Sequence, residues 1–223
     1  MIRAFGDINA NALPESLPLF PLSGALLLPH GHLPLNIFEP RYLSMTEDAF
    51  SSGRLIGMIQ PEKSHTDPIP NKETLFPVGC CGKIVSFEET ESGNLFIALR
   101  GLCRFRLNQE LENEKGYRRS TVDYAPYVDD LREDTGKIND RPRLLNAVQQ
   151  FFILKNIDVD WEAIKTAADE TLVTSLAMIC PFEAREKQAL LEVKNMMERS
   201  NLLTSLVEMA LHSSNYQTGA FQH

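Results

Sequence analysis

The spacing of apolar residues changes near residue 140, and this change constrains the possible folds more than any other feature of the chain. Before it, apolar side chains alternate with polar ones or form short runs, as they do in β-strands. After it, they recur about every 3.6 residues, as they do on one face of a helix. The sequence therefore predicts an α+β protein, with a β lobe at residues 1–128, an acidic connector at 129–140 and an all-α helical lobe at 141–223.

The most regular alternation runs from Leu95 to Leu107 and predicts an unusually long strand with one buried face. Another strand is expected at residues 78–89, and the residues between the two strands include Gly93, which suits a hairpin turn because glycine tolerates positive φ. Gly101 lies in the middle of the long strand. A glycine at such a position predicts a β-bulge or a corner of a barrel.

Short-range features of the sequence predict the remaining strands and helices. Strands are expected at residues 17–22, 33–38, 55–59 and 117–124. Pro40 suits the first position of a short helix, where its missing N–H needs no partner, and residues 51–53 end that helix. Helices of the second lobe are expected around residues 144–152 and 172–180. A last helix is expected to begin at Asn195, with Glu198 placed as in a capping box.

The composition excludes several classes of protein. The 223 residues include 22 Lys and Arg against 30 Asp and Glu, and the net charge of −8 opposes bulk binding to nucleic acid or to an anionic membrane surface. A hydrophobic content of 43% excludes a chain that is mainly disordered. The four cysteines have no CxxC spacing, which is typical of neither a disulfide framework nor a zinc site. Without a run of roughly 18 apolar residues or a signal-peptide core, we expect a cytoplasmic protein.

No residue pattern in the chain predicts catalysis, a metal site or a cofactor. His30 and His32 could offer two imidazoles to a metal ion, but the loop has no acidic or thiol ligand nearby, and a four-coordinate site needs more. Cys80 and Cys81 are neighbours on a strand, so we expect one to be packed and the other to be half exposed. Cys103 is expected in the core, and no histidine can be assigned to it as a base.

Five arginines could share one face of the sheet as a patch for nucleic acid: Arg100, Arg104, Arg106, Arg118 and Arg119. Five glutamates lie close to them in the sequence: Glu88, Glu89, Glu91, Glu110 and Glu112. Because these carboxylates would neutralise the patch, we expect a solvated face with several ion pairs. RNA binding stays open as the alternative function.

Three segments of the β lobe resemble the N-terminal substrate-binding domain of the Lon protease family: LPLFPLSGALLLPHGHLPLNIFEPRYLSMTEDAF, LIGMIQP and LFPVGCCGKIVSFEETESGNLFIALRGLCRFRL. Their order and spacing match the family throughout. The most specific motifs are FEPRY at residues 38–42 and the pair VGCCGKI and GLCRF. In the helical lobe LVTSLAMICPFEAREKQALLE and the Leu-rich helix after it are also similar, so the resemblance covers roughly residues 14–212.

The resemblance implies a PUA-like β pseudo-barrel with one short helix, followed by a helical bundle. It implies a non-enzymatic module, of a kind that also occurs as a stand-alone bacterial protein, which binds exposed apolar segments of unfolded or peptide-like proteins in connection with a protease system. In Lon, an ATPase module and a Ser-Lys protease module lie beyond this region. Here the nearest approach to a Walker A loop, residues 79–84, fails in its spacing and its last residue, so we expect neither activity.

Two groups of residues are the candidate sites. A loop with an apolar rim is expected to bind client side chains through Leu28, Pro29, His30, His32 and Leu33, beside the turn at Phe76 and Pro77. The competing possibility is that Leu27 and Leu28 point into the barrel and that the rim is inert. The FEPRY motif, consisting of Phe38, Glu39, Pro40, Arg41 and Tyr42, is expected to be structural. Within it, an ion pair between Glu39 and Arg41 would anchor the helix to the barrel.

Overall fold

The computed structural model describes residues 13–63, 69–70, 72–112, 115–132 and 136–219, with side chains up to residue 213. These residues form two compact units. One unit contains the described residues up to 132 together with Met178–Leu191, and the other contains the rest. Met178–Leu191 thus belongs with the strands, although it follows helices of the other unit in the sequence. The division into lobes at residues 128 and 141 stays a prediction.

Six β-strands form the sheet of the first unit: β1 Ser16–Pro21, β2 His32–Ile37, β3 Leu55–Ile59, β4 Val78–Glu89, β5 Leu95–Leu111 and β6 Arg118–Asp123. Their order is β2-β5-β4-β3-β1-β6, and all neighbouring pairs are antiparallel except β1 and β3, which are parallel. β6 also pairs with β5, which closes all strands except β2 into a ring. The prediction of an α+β protein is confirmed, and the ring agrees with a pseudo-barrel.

The length of β5, 17 residues, makes this closure possible. One side of β5 pairs with β2 along residues 95–100 and with β6 along residues 106–111, while its other side pairs with β4. The β4–β5 register shifts next to Gly101, which confirms the predicted bulge. A Cβ at Gly101 would collide with the carbonyl oxygen of Leu28. Glycine therefore lets the loop before β2 cross the strand at this point.

The interior of the first unit is apolar. Its buried members include Leu17, Leu19, Cys81, Cys103, Phe105 and Val122. Helix α1, Pro40–Ser51, contacts β1 and β3 and buries Tyr42, Met45 and Ala49. Each large apolar side chain buried in this way contributes about 1.5–3 kcal/mol to stability. Pro40 is the first residue of α1, as predicted from its missing N–H.

Five α-helices follow the sheet within the described residues: α2 Arg141–Lys155, α3 Trp161–Thr166, α4 Asp169–Ile179, α5 Ala184–Glu192 and α6 Met196–Gly219. In the second unit α2 packs against α6, and α2 buries Leu144, Val148 and Phe151. The cap predicted for the last helix is confirmed, because Asn195 Oδ1 accepts a 2.9 Å hydrogen bond from the backbone N–H of Glu198.

Buried polar side chains join Met178–Leu191 to the strands and loops of its own unit. Gln188 Nε2 donates to the carbonyl oxygen of Val78 at 3.0 Å, and Lys187 Nζ donates to that of Gly24 at 2.7 Å. Burial lowers the pKa of the Lys187 ammonium group. Because an unpaired buried polar group costs about 1–3 kcal/mol, these bonds specify where the segment packs.

Candidate functional site

Strand β2 has an open edge. Among the described strands β2 pairs only with β5, so its other side presents main-chain groups to any further strand. His32, Pro34 and Asn36 are exposed, whereas Leu35 and Ile37 are buried. Pro34 has no N–H to donate, which interrupts pairing along this edge. The edge therefore suits a short extended segment better than the continuous edge of another sheet.

An apolar depression with a volume of about 190 Å³ lies beside β2. Apolar side chains that line it include Phe20, Leu22, Leu35, Ile37, Phe38 and Tyr42. The rings of Phe20 and Tyr42 pack with their centroids 4.3 Å apart, and Phe38 is 55% exposed. An exposed phenylalanine beside an apolar depression offers a contact to apolar side chains of another molecule. We call residues 32–38 with Phe20, Leu22 and Tyr42 the β2 edge site.

Charged groups of the FEPRY motif hold the start of α1 in place. Arg41 Nη2 lies 2.8 Å from Glu39 Oε2 and also donates to the carbonyl oxygen of Ile69 at 3.0 Å. The Arg41 guanidinium carbon lies 4.5 Å from the centroid of the Tyr42 ring. These contacts connect the helix start to the segment at residue 69 and keep Tyr42 against the depression. That the motif is structural stays a prediction.

Sequence reasoning missed two exposed aromatic residues. Phe38 was expected to be structural with the rest of its motif, yet it continues the exposed positions 32, 34 and 36 of β2, and that alternation was the available signal. Phe96 is 49% exposed and lies opposite Asn36 in the β2–β5 register. Both rings therefore add apolar surface near the open edge.

The predicted loop rim is only partly accessible. Leu28 is 0% exposed and Pro29 is also buried, so these two side chains do not form a surface. His30 is partly buried, and its Nε2 donates to a backbone carbonyl oxygen 3.2 Å away. The exposed His32 and the partly buried Leu33 lie in β2. Of the predicted rim, these last two residues belong to the β2 edge site.

The structure does not place the turn at Phe76 and Pro77 beside this rim. The loop before β2 crosses β5 at Gly101, whereas the carbonyl oxygen of Pro77 accepts a 2.8 Å bond from the N–H of Leu107. At roughly 3.3 Å per strand residue, the two points are separated by about 20 Å of β5. Phe76 is partly buried and Pro77 is exposed. The expected side-by-side arrangement is therefore wrong, because β5 is long enough to carry the two loops at different levels.

The five arginines that were expected to share one face of the sheet are not all exposed. A 3-10 helix, Ala125–Leu131, packs against β5, and Arg104 is only 4% exposed. Its guanidinium group forms two bonds to the Asp130 carboxylate at 2.7 and 2.8 Å and donates to the Leu191 carbonyl oxygen at 2.9 Å. The expectation that Arg104 is on an open face is therefore wrong. Arg118 forms an ion pair with a glutamate, which further weakens the case for an RNA site.

The cysteines of β4 and β5 are buried. Cys80 and Cys81 are 1% and 0% exposed, so the expectation that one of them is half exposed is wrong. The reason is that Cys80 lies opposite Arg104, whose side chain is itself covered. Cys103 is buried as predicted. Burial raises the pKa of Cys81 and Cys103 to about 12, so both thiols stay protonated at neutral pH and are poor nucleophiles.

Metal binding and membrane insertion find no support in the described part of the chain. Across those residues, His, Cys, Asp and Glu side chains do not gather in any group of three that could hold a metal ion. None of the helices within the same ranges combines the length and apolar character needed to cross a bilayer.

The fold places the chain among mixed α+β domains built around a small closed sheet. Residues 16–209 match the family described as "ATP-dependent protease La (LON) substrate-binding domain". The chain therefore belongs to the family of LON substrate-binding domains. Its class is that of a substrate-recognition domain, and the resemblance seen in the FEPRY, VGCCGKI and GLCRF motifs is confirmed.

The relatives that this chain matches are much longer than it is. It is 22% identical over 208 residues to the Lon protease of Flavobacterium johnsoniae, a match that covers 87% of this chain and 24% of that protein. It is 29% identical over 118 residues to Lon protease 2 of Myxococcus xanthus, covering 53% of this chain and 14% of that protein. The chain thus spans about a quarter, or less, of the length of these relatives.

Solved structures show the same fold. A Lon N-terminal domain protein from Xanthomonas campestris is similar with a TM-score of 0.59 and 23% identity, covering 85% of this chain and 97% of that one. The N-terminal domain of the Mycobacterium avium complex Lon protease is similar with a TM-score of 0.57 and 15% identity, covering 86% and 98%. At these identities the likeness concerns the fold alone.

Proposed function

We propose that this domain is a non-enzymatic recognition module that binds exposed apolar polypeptide segments at the β2 edge site. The observation that carries the proposal is the open edge of β2 directly beside an apolar depression rimmed by Phe38. Its partners are unfolded or peptide-like segments of proteins that a protease system handles. The kinship with Lon proteases supports this partner class.

Two interactions would act together in binding. A client in extended form adds main-chain hydrogen bonds along the free edge of β2, and one of its apolar side chains enters the depression against Phe38. Because Pro34 lacks a donor, only a short stretch pairs. Binding of this kind tolerates many sequences and is weak, in the micromolar range or about 8 kcal/mol. A module that must release its client benefits from that weakness.

The absence of catalysis is part of the same proposal. The sequence contains no GxxxxGK loop followed by Ser or Thr, so no Walker A site is available in it to hold a nucleotide. The buried, protonated thiols of Cys81 and Cys103 do not suit a nucleophile. Binding rather than chemistry is thus the activity to measure.

Two serine variants test the proposal. Phe38→Ser and Leu33→Ser should each weaken binding to reduced, carboxymethylated lactalbumin by about tenfold, because each removes apolar contact area at the β2 edge site. Fluorescence anisotropy of the labelled lactalbumin gives the affinity. Val128→Ser is the matched control, since Val128 is 43% exposed in the same unit but lies on the 3-10 helix. Equal affinity for Phe38→Ser, Leu33→Ser and Val128→Ser would refute the proposed site.

Phe76→Ser tests the other contact expected from the sequence. Because Phe76 is separated from the β2 edge by about 20 Å of strand, only a long client can reach both. The variant should therefore weaken binding of lactalbumin but not of a three-residue apolar peptide, which spans only about 10 Å. An unchanged affinity for lactalbumin would remove Phe76 and Pro77 from the binding surface.

A further inference from the structure

A separate cavity of about 290 Å³ lies at the C-terminal end of α1. The last turn of α1 contributes Phe50, the turn after the helix contributes Gly53 and Arg54, and β4 contributes Lys83, Ile84 and Val85. We call these six residues the α1 end pocket. Its volume is at the lower limit of the roughly 300–1,000 Å³ of ligand sites, so it suits one or two residues rather than a length of chain.

The α1 end pocket combines two cationic side chains with apolar walls. Arg54 is exposed, and its guanidinium group forms no ion pair with any carboxylate of the described residues. Lys83 lines the same cavity from β4. The Phe50 ring packs against Phe87 with centroids 4.7 Å apart, and Val85 is 39% exposed. On a chain with a net charge of −8, such a pocket is complementary to an anionic group attached to an apolar one.

The backbone holds Arg54 firmly at the cavity. Arg54 has a φ of 65°, in the left-handed region that a bulky residue rarely adopts. Its N–H donates to the carbonyl oxygen of Ala49 at 2.7 Å, and its own carbonyl oxygen accepts from the N–H of Ile84 at 2.8 Å. These two bonds join the turn to α1 and to β4 at once. The base of the Arg54 side chain is therefore placed before any ligand arrives, which reduces the entropy cost of binding.

We propose that the α1 end pocket binds the C-terminal residue of a client polypeptide. The terminal carboxylate pairs with Arg54 and Lys83, and a large apolar last side chain packs against Phe50, Ile84 and Val85. A guanidinium group suits this role because its fork of donors matches the two oxygens of a carboxylate. A chain end is favoured over an internal acidic residue because one terminal residue brings a carboxylate and its own apolar side chain into the pocket together.

This inference rests on the proposed function and names its client more closely. The α1 end pocket and the depression at Phe38 lie at opposite ends of α1, whose 12 residues span about 18 Å. A client would need about six extended residues to reach from one to the other. Contacts at both places would raise the affinity for unfolded chains with apolar C-termini.

Three labelled nonapeptides test the inference by fluorescence anisotropy. The first two have Gly and Ser at positions one to seven, and the third has them at every position except five and six. The first ends in Ala-Leu with a free carboxylate, the second is its C-terminal amide, and the third carries Leu-Glu at positions five and six and is amidated. We expect the amide and the internal-glutamate peptide to bind about tenfold more weakly than the free acid, since a charge-assisted bond is lost or misplaced. Equal affinities for acid and amide would overturn the inference.

Variants assign the effect to the pocket. Arg54→Asn removes the charge while asparagine tolerates the left-handed φ, so it should weaken the free acid about tenfold and leave the amide unaffected. Arg106→Gln is the control, because Arg106 is an exposed arginine on β5 outside the pocket. If Arg54→Asn and Arg106→Gln weaken the free acid equally, the effect is general electrostatics and the pocket is refuted. If acid and amide bind equally while Phe38→Ser still weakens lactalbumin binding, this inference fails and the proposed function stands.

Discussion

Removal of the Asp130 carboxylate should destabilise the first unit strongly, because it leaves the buried guanidinium group of Arg104 without its counter-ion. The two side chains are 9% and 5% exposed. Asp130→Ala removes two bonds to the guanidinium group and one 2.9 Å bond from the Arg104 N–H. Loss of one partner of a buried pair costs about 3–5 kcal/mol. Arg104 keeps its bond to Leu191 and its position 4.8 Å from the Tyr127 centroid, so we expect a loss of about 3 kcal/mol.

Urea denaturation measures this loss if the probe reports the correct unit. The chain has one tryptophan, Trp161, and it lies in α3 of the other unit, so its fluorescence is unsuitable. Near-ultraviolet circular dichroism of the tyrosines, most of which lie in the first unit, is the better probe. The transition midpoint should fall while the slope of the free energy against urea stays unchanged.

A double variant separates the unpaired charge from general damage. Arg104→Met with Asp130→Leu removes both charges and keeps apolar volume, so it should recover most of the roughly 3 kcal/mol lost by Asp130→Ala. It will not recover all of it, because the Leu191 carbonyl oxygen loses a donor and the backbone N–H at position 104 still lacks its acceptor. Asp130→Ala would contradict this role of the ion pair if it lowered the free energy of unfolding by less than about 1 kcal/mol, as would a double variant no more stable than Asp130→Ala.

Three further outcomes are expected. Arg41→Ala should lower the free energy of unfolding by about 1–3 kcal/mol in urea denaturation, because Arg41 is 18% exposed and paired with Glu39; an unchanged melting temperature would contradict this. The backbone N–H of Ile138 and the guanidinium group of Arg141 lower the pKa of Asp169 below its ordinary 3.8, so this stabilisation is complete above that pH and is lost as the pH falls through the lowered value. Asp169→Asn should therefore flatten the acid limb of an unfolding curve followed by tryptophan fluorescence, and an unaltered limb would count against it. RNA should bind weakly with little salt dependence, and submicromolar affinity with a steep salt slope in filter binding would reverse the ranking of the two functions.

Local signals in the sequence were sufficient for most of the secondary structure. The apolar run at residues 55–59 became β3 with the same bounds, and the alternation from Leu95 became β5. Pro40 and Asn195 marked helix starts because proline and a capping side chain act on the backbone within a few residues. The family motifs also indicated the class of substrate-recognition domains, which the spacing of apolar residues alone cannot indicate.

The candidate site was only partly predictable. His32 and Leu33 lie on β2 as part of the chosen surface, but Leu28 and Pro29 are buried by the chain crossing at Gly101. A run of apolar residues in a loop has the same composition whether it faces solvent or the interior. The sequence therefore could not show that Leu28 and Pro29 are buried, because their burial depends on where the loop crosses β5.

The sequence by itself determined which segments are strands and helices, since these depend on periods of about 2 and 3.6 residues and on caps within one turn. Only the tertiary structure decided which charged side chains are buried and which groups they pair with. Arg104 reads as one member of an exposed arginine row, yet it is buried by Asp130 and Leu191, which lie 26 and 87 residues away. The same holds for the packing of Gln188 on Val78, 110 residues apart. Contacts at such separations are selected by how complete elements pack, and no local pattern of residues encodes them.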